Sequence, residues 1–246
     1  MGLGRKIIVV DDAAALAETA AERVIARMDN NSGRIAICLT GGSSPKQLYA
    51  LLGSEDYVDR IPWDRVHWFI GDDRFVKASD PLNNMSMARG IFLDRCAPAA
   101  NIHPIATEAH SPYEAAHLYE QHLKSFYGAN ELDPPQPLFD LVLLGVGPDG
   151  HIASLFPGYP AVEVTDEWVV GVSEAHVAPF VPRVSLTLPA LGSCHEMLFE
   201  VGGADKREIL TKVLTGADLP ANRARSYEGE TVWLCDRAAL PEDYSA

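Results

Sequence analysis

The sequence predicts an α/β protein: an open, mostly parallel sheet with helices on both faces, Rossmann-like, carrying an antiparallel edge. Three observations point there. Short apolar runs alternate with helix-patterned segments along most of the chain. One run, residues 138–146 (LFDLVLLGV), is apolar except for Asp140, the pattern of a central strand covered on both faces. The second half is richer in strand patterns than the first, which is why an antiparallel edge is expected.

Taken in order, residues 6–10 (KIIVV) form the first strand, and 12–28 the first helix, opened by the acidic Asp11-Asp12 pair that suits a helix N-terminus. Residues 34–39 (RIAICL) and 66–70 (VHWFI) are strands, with a helix at 45–52 between them. Helices follow at 85–95 and 112–127, the latter capped by Ser111 with Pro112 at its first position. The DPPQP segment at 133–137 is a rigid turn, since the apolar strand resumes at once. Strands at 168–172, 183–188, 197–201 and 231–235 and a helix at 206–214 complete the chain. There are no repeats or low-complexity tracts, and 246 residues fit a single domain spanning 1–246.

Composition narrows the function. With 34 Asp+Glu against 20 Lys+Arg, the net charge of −14 repels nucleic-acid phosphates at long range. A small anionic ligand remains compatible, provided local donors are concentrated against the global field. No apolar run approaches the ~18 residues of a membrane span and no leader pattern opens the chain, so a soluble, cytoplasmic protein is expected. Cys38, Cys96, Cys194 and Cys235 lie far apart, which reads as reduced thiols rather than a disulfide scaffold.

Open α/β sheets bind ligands beyond the carboxyl ends of their strands, which selects a few loops. Thr40-Gly41-Gly42-Ser43-Ser44-Pro45 follows the second strand and opens a helix. Its glycines permit close backbone approach, Ser43 or Ser44 can cap the helix, and the N–H groups there suit an anion; a plain capped turn fits the residues equally well. It is neither a Walker A loop nor a nucleophile elbow, lacking the glycine spacing of either. Gly71-Asp72-Asp73-Arg74 sets two carboxylates beside an arginine at a strand end, an arrangement suited to a polar ligand or to a solvated turn.

Gly145-Val146-Gly147-Pro148-Asp149-Gly150-His151 follows the most apolar strand. Three glycines and a proline impose a tight turn, and an imidazole next to a carboxylate there is a general base suited to neutral pH. His103, His110, His117 and His122 fit no metal-ligand spacing and read as surface or packing histidines; no metal site is expected. Arg183 and Lys206, each ambiguous alone, join Arg74 as candidate cations for a phosphate site.

These loops together resemble the 6-phosphogluconolactonase family, of the glucosamine/galactosamine-6-phosphate isomerase superfamily. The matching stretches are 39–52 (LTGGSSPKQLYALL), 68–76 (WFIGDDRFV), 144–158 (LGVGPDGHIASLFPG), 183–191 (RVSLTLPAL) and 201–206 (VGGADK), in the family's order. The family usually has Asp-Glu-Arg where this chain has Asp72-Asp73-Arg74. The resemblance implies a fold related to glucosamine-6-phosphate deaminases and ribose-5-phosphate isomerases. It also implies hydrolysis of 6-phospho-D-glucono-1,5-lactone, in the oxidative branch of the pentose phosphate pathway, without metal or organic cofactor. By position, His151, Asp149 and Arg74 would be catalytic, and Gly41, Gly42, Ser43, Ser44, Asp73, Arg183 and Lys206 would bind substrate and its phosphate. The partner would be a phosphorylated sugar lactone, with no nucleic acid or membrane, and the protein a monomer or small homo-oligomer.

Two rivals remain. A glucosamine-6-phosphate deaminase typically continues its histidine turn into Phe-Asn-Glu-Pro, whereas Ala153-Ser154-Leu155-Phe156-Pro157 here lacks the acid. A sugar-phosphate-sensing module without turnover normally carries a DNA-binding segment, and no basic helix-turn-helix pattern is visible. A phosphoacceptor receiver fails outright, because Gly145 stands where its aspartate would fall.

Overall fold

The computed structural model describes residues 5–242 and 244. Six strands form a sheet in the order β1-β9-β8-β5-β2-β3, with every neighbouring pair parallel. They are β1 (Lys6–Val10), β2 (Ile35–Leu39), β3 (Val66–Ile70), β5 (Phe139–Leu144), β8 (Cys194–Val201) and β9 (Glu230–Asp236). The antiparallel component is present as a separate three-stranded sheet, β4-β7-β6, rather than as an edge of the large one. Its strands are β4 (Asp72–Arg74), β6 (Val169–Val172) and β7 (Arg183–Leu186).

Helix α1 (Ala13–Asp29) lies across β5, β8 and β9 and packs on α2 (Lys46–Leu52). Its N-cap is Asp12, whose carboxylate accepts from Ala15 N at 2.9 Å. The predicted helix at 85–95 is α3 (Asn84–Ala88), a π turn at Arg89–Leu93 and the short α4 (Asp94–Cys96). Helix α5 (Pro112–Tyr127) begins with Ser111 accepting from Glu114 N and ends at Gly128 with φ 90°. It packs against β6 and β7 and also ties to β3, because the buried Tyr119 hydroxyl bonds both N–H and C=O of Ile70 at 3.1 Å. Short helices α6 (Leu188–Gly192) and α8 (Pro220–Arg223) were not legible as patterns, while α7 (Arg207–Leu214) falls where a helix was expected.

One buried cluster runs through both sheets, from Ile37, Leu143, Leu198 and Val232 to Val169, Val184 and Leu186. Phe69, on β3, stacks on His103 with ring centroids 4.3 Å apart. His103 in turn bonds His67 at 2.9 Å and His122 at 2.8 Å, so these histidines are packing elements, and burial holds all three below the ordinary imidazole range. Two acids on one face of β8 meet different fates: Glu196 is bound by Arg23 and Arg27 of α1, whereas both carboxylate oxygens of the buried Glu200 lack a partner. Cys38, Cys194 and Cys235 are buried, and no cysteine is paired among the described residues. No helix among the described residues is long and apolar enough to cross a membrane.

Candidate active site

The strand order decides where chemistry can sit. Strands β2, β5 and β8 are neighbours and run parallel, so the loops that follow them emerge side by side at one end of the sheet. The small sheet closes the other side through β4, which continues from β3 after Gly71, and β7. Between them lies a cavity of about 190 Å³ lined by the 40–44 loop, the 145–148 turn, His151, Arg74, Arg183 and Lys206. All three loops singled out in the sequence therefore contribute to one pocket, together with Arg183 and Lys206.

The His151 turn is held by its own hydrogen bonds. Gly147 N donates to His151 O at 2.9 Å, Gly150 N to Gly147 O at 3.0 Å, and His151 N to Asp149 Oδ1 at 3.1 Å. Gly147 is required sterically: a Cβ there would overlap the His151 imidazole. His151 Nδ1 lies 2.5 Å from Asp149 Oδ1. A carboxylate only accepts, so the shared proton sits on Nδ1 and a neutral imidazole keeps its lone pair on Nε2. Burial pushes the Asp149 carboxyl up, but the hydrogen bond and charge of His151 outweigh it and hold the group well below the ordinary carboxylate range. Just beyond, Ala153 takes a left-handed φ of 45°, local strain at the cavity wall. Ser154 then donates to Asp72 Oδ2 at 2.6 Å, fastening this turn to β4.

The loop after β2 differs from expectation in its capping. Neither serine caps α2, whose N-cap is Pro45 without a side-chain bond. Ser43 and Ser44 instead line the cavity, and among the described residues the N–H groups of Gly42, Ser43 and Ser44 have no hydrogen-bond partner. Gly42, at φ 92°, turns this loop in the left-handed region that glycine adopts without strain.

Three cations reach the cavity from separate elements. Arg74 Nη1 donates to Leu82 O at 2.9 Å and to Asn84 Oδ1 at 2.8 Å, so its guanidinium is fixed. Lys206 Nζ donates to Val146 O at 2.9 Å across the mouth, leaving two of its three ammonium donors. Arg183 is buried and also props the 179–181 loop, donating to Pro179 O at 2.7 Å and Val181 O at 3.1 Å; desolvation lowers its pKa from the ordinary guanidinium value.

Asp73 corrects the sequence reading. It is fully buried, absent from the cavity wall, and accepts from the N–H groups of Arg74, Asn84 and Met85, fixing the start of α3. Burial, only partly offset by these bonds, raises its carboxyl to about 7. The acid that does face the cavity is its neighbour Asp72, because successive side chains of a strand point to opposite sides.

A family model described as glucosamine-6-phosphate isomerases/6-phosphogluconolactonase matches residues 11–233. The chain belongs to this family. A 6-phosphogluconolactonase of a Nostoc species is 37% identical, over 97% of this chain and 98% of its own length. One from Streptomyces coelicolor is 36% identical, over 96% of this chain and 94% of its own. The crystal structure of 6-phosphogluconolactonase from Thermotoga maritima superposes with a TM-score of 0.81 at 28% identity, covering 95% of this chain and all 100% of that one.

Within this member of the family, Asn84, Val177 and Ala178 line the cavity without having been singled out in the sequence, and Asp72 lines it where the resemblance gave the binding role to Asp73. Asn84 carried no signal of its own: it bonds Arg74 from ten residues on, and the folded 75–83 segment, pinned where Asn84 N donates to Asp73, brings the two together. Val177 and Ala178 lie in the loop joining β6 to β7, which carries no motif.

Proposed function

We propose that this protein hydrolyses 6-phospho-D-glucono-1,5-lactone to 6-phosphogluconate, with His151 as general base. The observation that carries the reading is His151, paired with Asp149 behind it, lining a cavity that also gathers Arg74, Arg183 and Lys206. A strongly acidic protein concentrates cations in this way where it binds an anion.

In this scheme the unpartnered N–H groups of the 42–44 loop and Lys206 hold the phosphate. That remote binding orients C1 of the lactone toward Nε2 of His151. Nε2 takes a proton from water as its oxygen attacks C1, and Asp149 stabilises the imidazolium that forms. The N–H groups of Gly147, Gly150 and His151 are already bonded within their own turn, which leaves Arg74 as the donor for the oxyanion. The C1–O5 bond then breaks, and His151 returns its proton to the departing ring oxygen. Asp72 and the buried Asp73 hold this frame and do not take part in proton transfer.

The whole chain acts as one domain in this proposal, supported by the apolar cluster that both sheets share. Its unpaired cysteines suit a reducing, cytoplasmic setting. The test is a proton-release or NMR assay on freshly made 6-phosphogluconolactone, corrected for spontaneous opening. Hydrolysis well above the blank is the expected result; a rate equal to the blank overturns the proposal.

A further inference from the structure

The carboxylate of Asp149 has a second partner. His176 Nε2 lies 2.9 Å from Asp149 Oδ2, while His151 Nδ1 binds the other oxygen. The two imidazoles also share an aromatic neighbour: Phe156, itself 1% exposed, lies 4.9 Å from the His151 ring and 5.1 Å from the His176 ring. Tyr159 backs His176 at 5.1 Å, and Val172 and Ala175 pack beneath Phe156. His176 belongs to the segment between β6 and β7, whose Val177 and Ala178 form part of the cavity wall.

Resting on the reading of His151 as base, the geometry points to His176 as a positioning residue for the reaction. A carboxylate held at one oxygen swings about its χ2 torsion, which is broad for aspartate. Held at both oxygens, Asp149 has one orientation, and with it the ring of His151 and the direction of its Nε2 lone pair are fixed. Preorganisation of this kind acts on the chemical step, not on substrate capture. The three side chains lie in series from the cavity outward, with His151 19%, Asp149 24% and His176 39% exposed. His176 therefore acts from outside the pocket and needs no contact with substrate.

The experiment measures kcat and KM on 6-phosphogluconolactone for His176→Ala, His176→Gln, His151→Ala, Asp149→Asn and the Asp149→Asn/His176→Ala double variant. His176→Ala should lower kcat by about 5–20-fold with KM within twofold, the size of coupling found between residues in one hydrogen-bonded network. His176→Gln, whose amide N–H can reach Oδ2 as the imidazole does, should recover most of that loss. In the Asp149→Asn background, His176→Ala should cause no further fall in kcat. Unchanged kcat in His176→Ala beside an inactive His151→Ala overturns the inference and leaves the base assignment standing. Full activity of His151→Ala overturns the base assignment and this inference with it. An effect on KM alone, no rescue by Gln, or equal losses in both backgrounds overturns the inference, because His176 then only shapes the cavity wall.

Discussion

Replacing Glu200 by glutamine should favour the folded protein increasingly as pH rises. Glu200 is 2% exposed, neither carboxylate oxygen has a partner, and burial pushes the group up to about 8 from its ordinary 4.5. The folded chain thus keeps the proton over an interval in which the unfolded chain has lost it. The stability tied to this group is complete below the unfolded value of 4.5 and is lost as pH rises through the folded value of about 8. At about 1.36 kcal/mol per pH unit, the loss reaches on the order of 3 kcal/mol at pH 7 and about 5 kcal/mol once the folded group titrates. Glutamine keeps the shape and never ionises. Urea unfolding of both proteins at pH 4.5, 7 and 8.5 isolates the effect, because every other titrating group cancels in the difference. The difference should start at the cost of burying an amide without partners and then shift steadily with pH in favour of the variant. A difference that stays flat across the range would refute the argument and mean that Glu200 finds a partner or water in solution.

His151→Ala should lower kcat by at least ~10²-fold while product binding stays within a few-fold, with Asp149→Asn costing less; steady-state kinetics beside calorimetry separates the two effects. Lys206→Ala should lower kcat/KM on the phosphorylated lactone by about 10–100-fold and leave the slow hydrolysis of unphosphorylated gluconolactone nearly unchanged. Equal losses on the two substrates would assign Lys206 to fastening the Val146 carbonyl instead. Gly147→Ala should displace the His151 ring and abolish most activity while the circular dichroism of the fold persists, since the overlap is with one side chain of the cavity wall and not with the core.

The helices and parallel strands were readable because apolar periodicity and end signals survive in a single sequence: 112–127 is opened by Ser111 and Pro112, and the largely apolar 138–146 run became the central β5. What stayed hidden is what depends on distant partners. Asp72-Asp73-Arg74 looks like a solvated turn, yet it is strand β4, and its acids tolerate burial through Ser154 and through the backbone of α3. Nothing in the local pattern distinguishes Asp72 from Asp73; only the pairing with β7 sets which one faces the cavity. The capping role given to Ser43 or Ser44 failed because α2 starts one residue beyond Pro45, out of their reach. His176 shares no spacing with Asp149, and their contact closes a loop of 27 residues. The polar loops of the site were legible as a set, whereas their division between binding and support was not.

The pairing of β1 with β9 bears on how the chain is made. Lys6–Val10 finds its sheet neighbour only at Glu230–Asp236, so β1 must wait for the distant β9 to be made before it can dock. Until then an apolar KIIVV segment with free backbone edges is open to wrong pairings, the hazard that accompanies long-range sheet contacts. Loss of the C-terminal strand, even with every cavity residue present, would leave β1 without its neighbour and expose the edge of β8 as well. A stop codon ahead of Glu230 would therefore remove two strands from the sheet, not one.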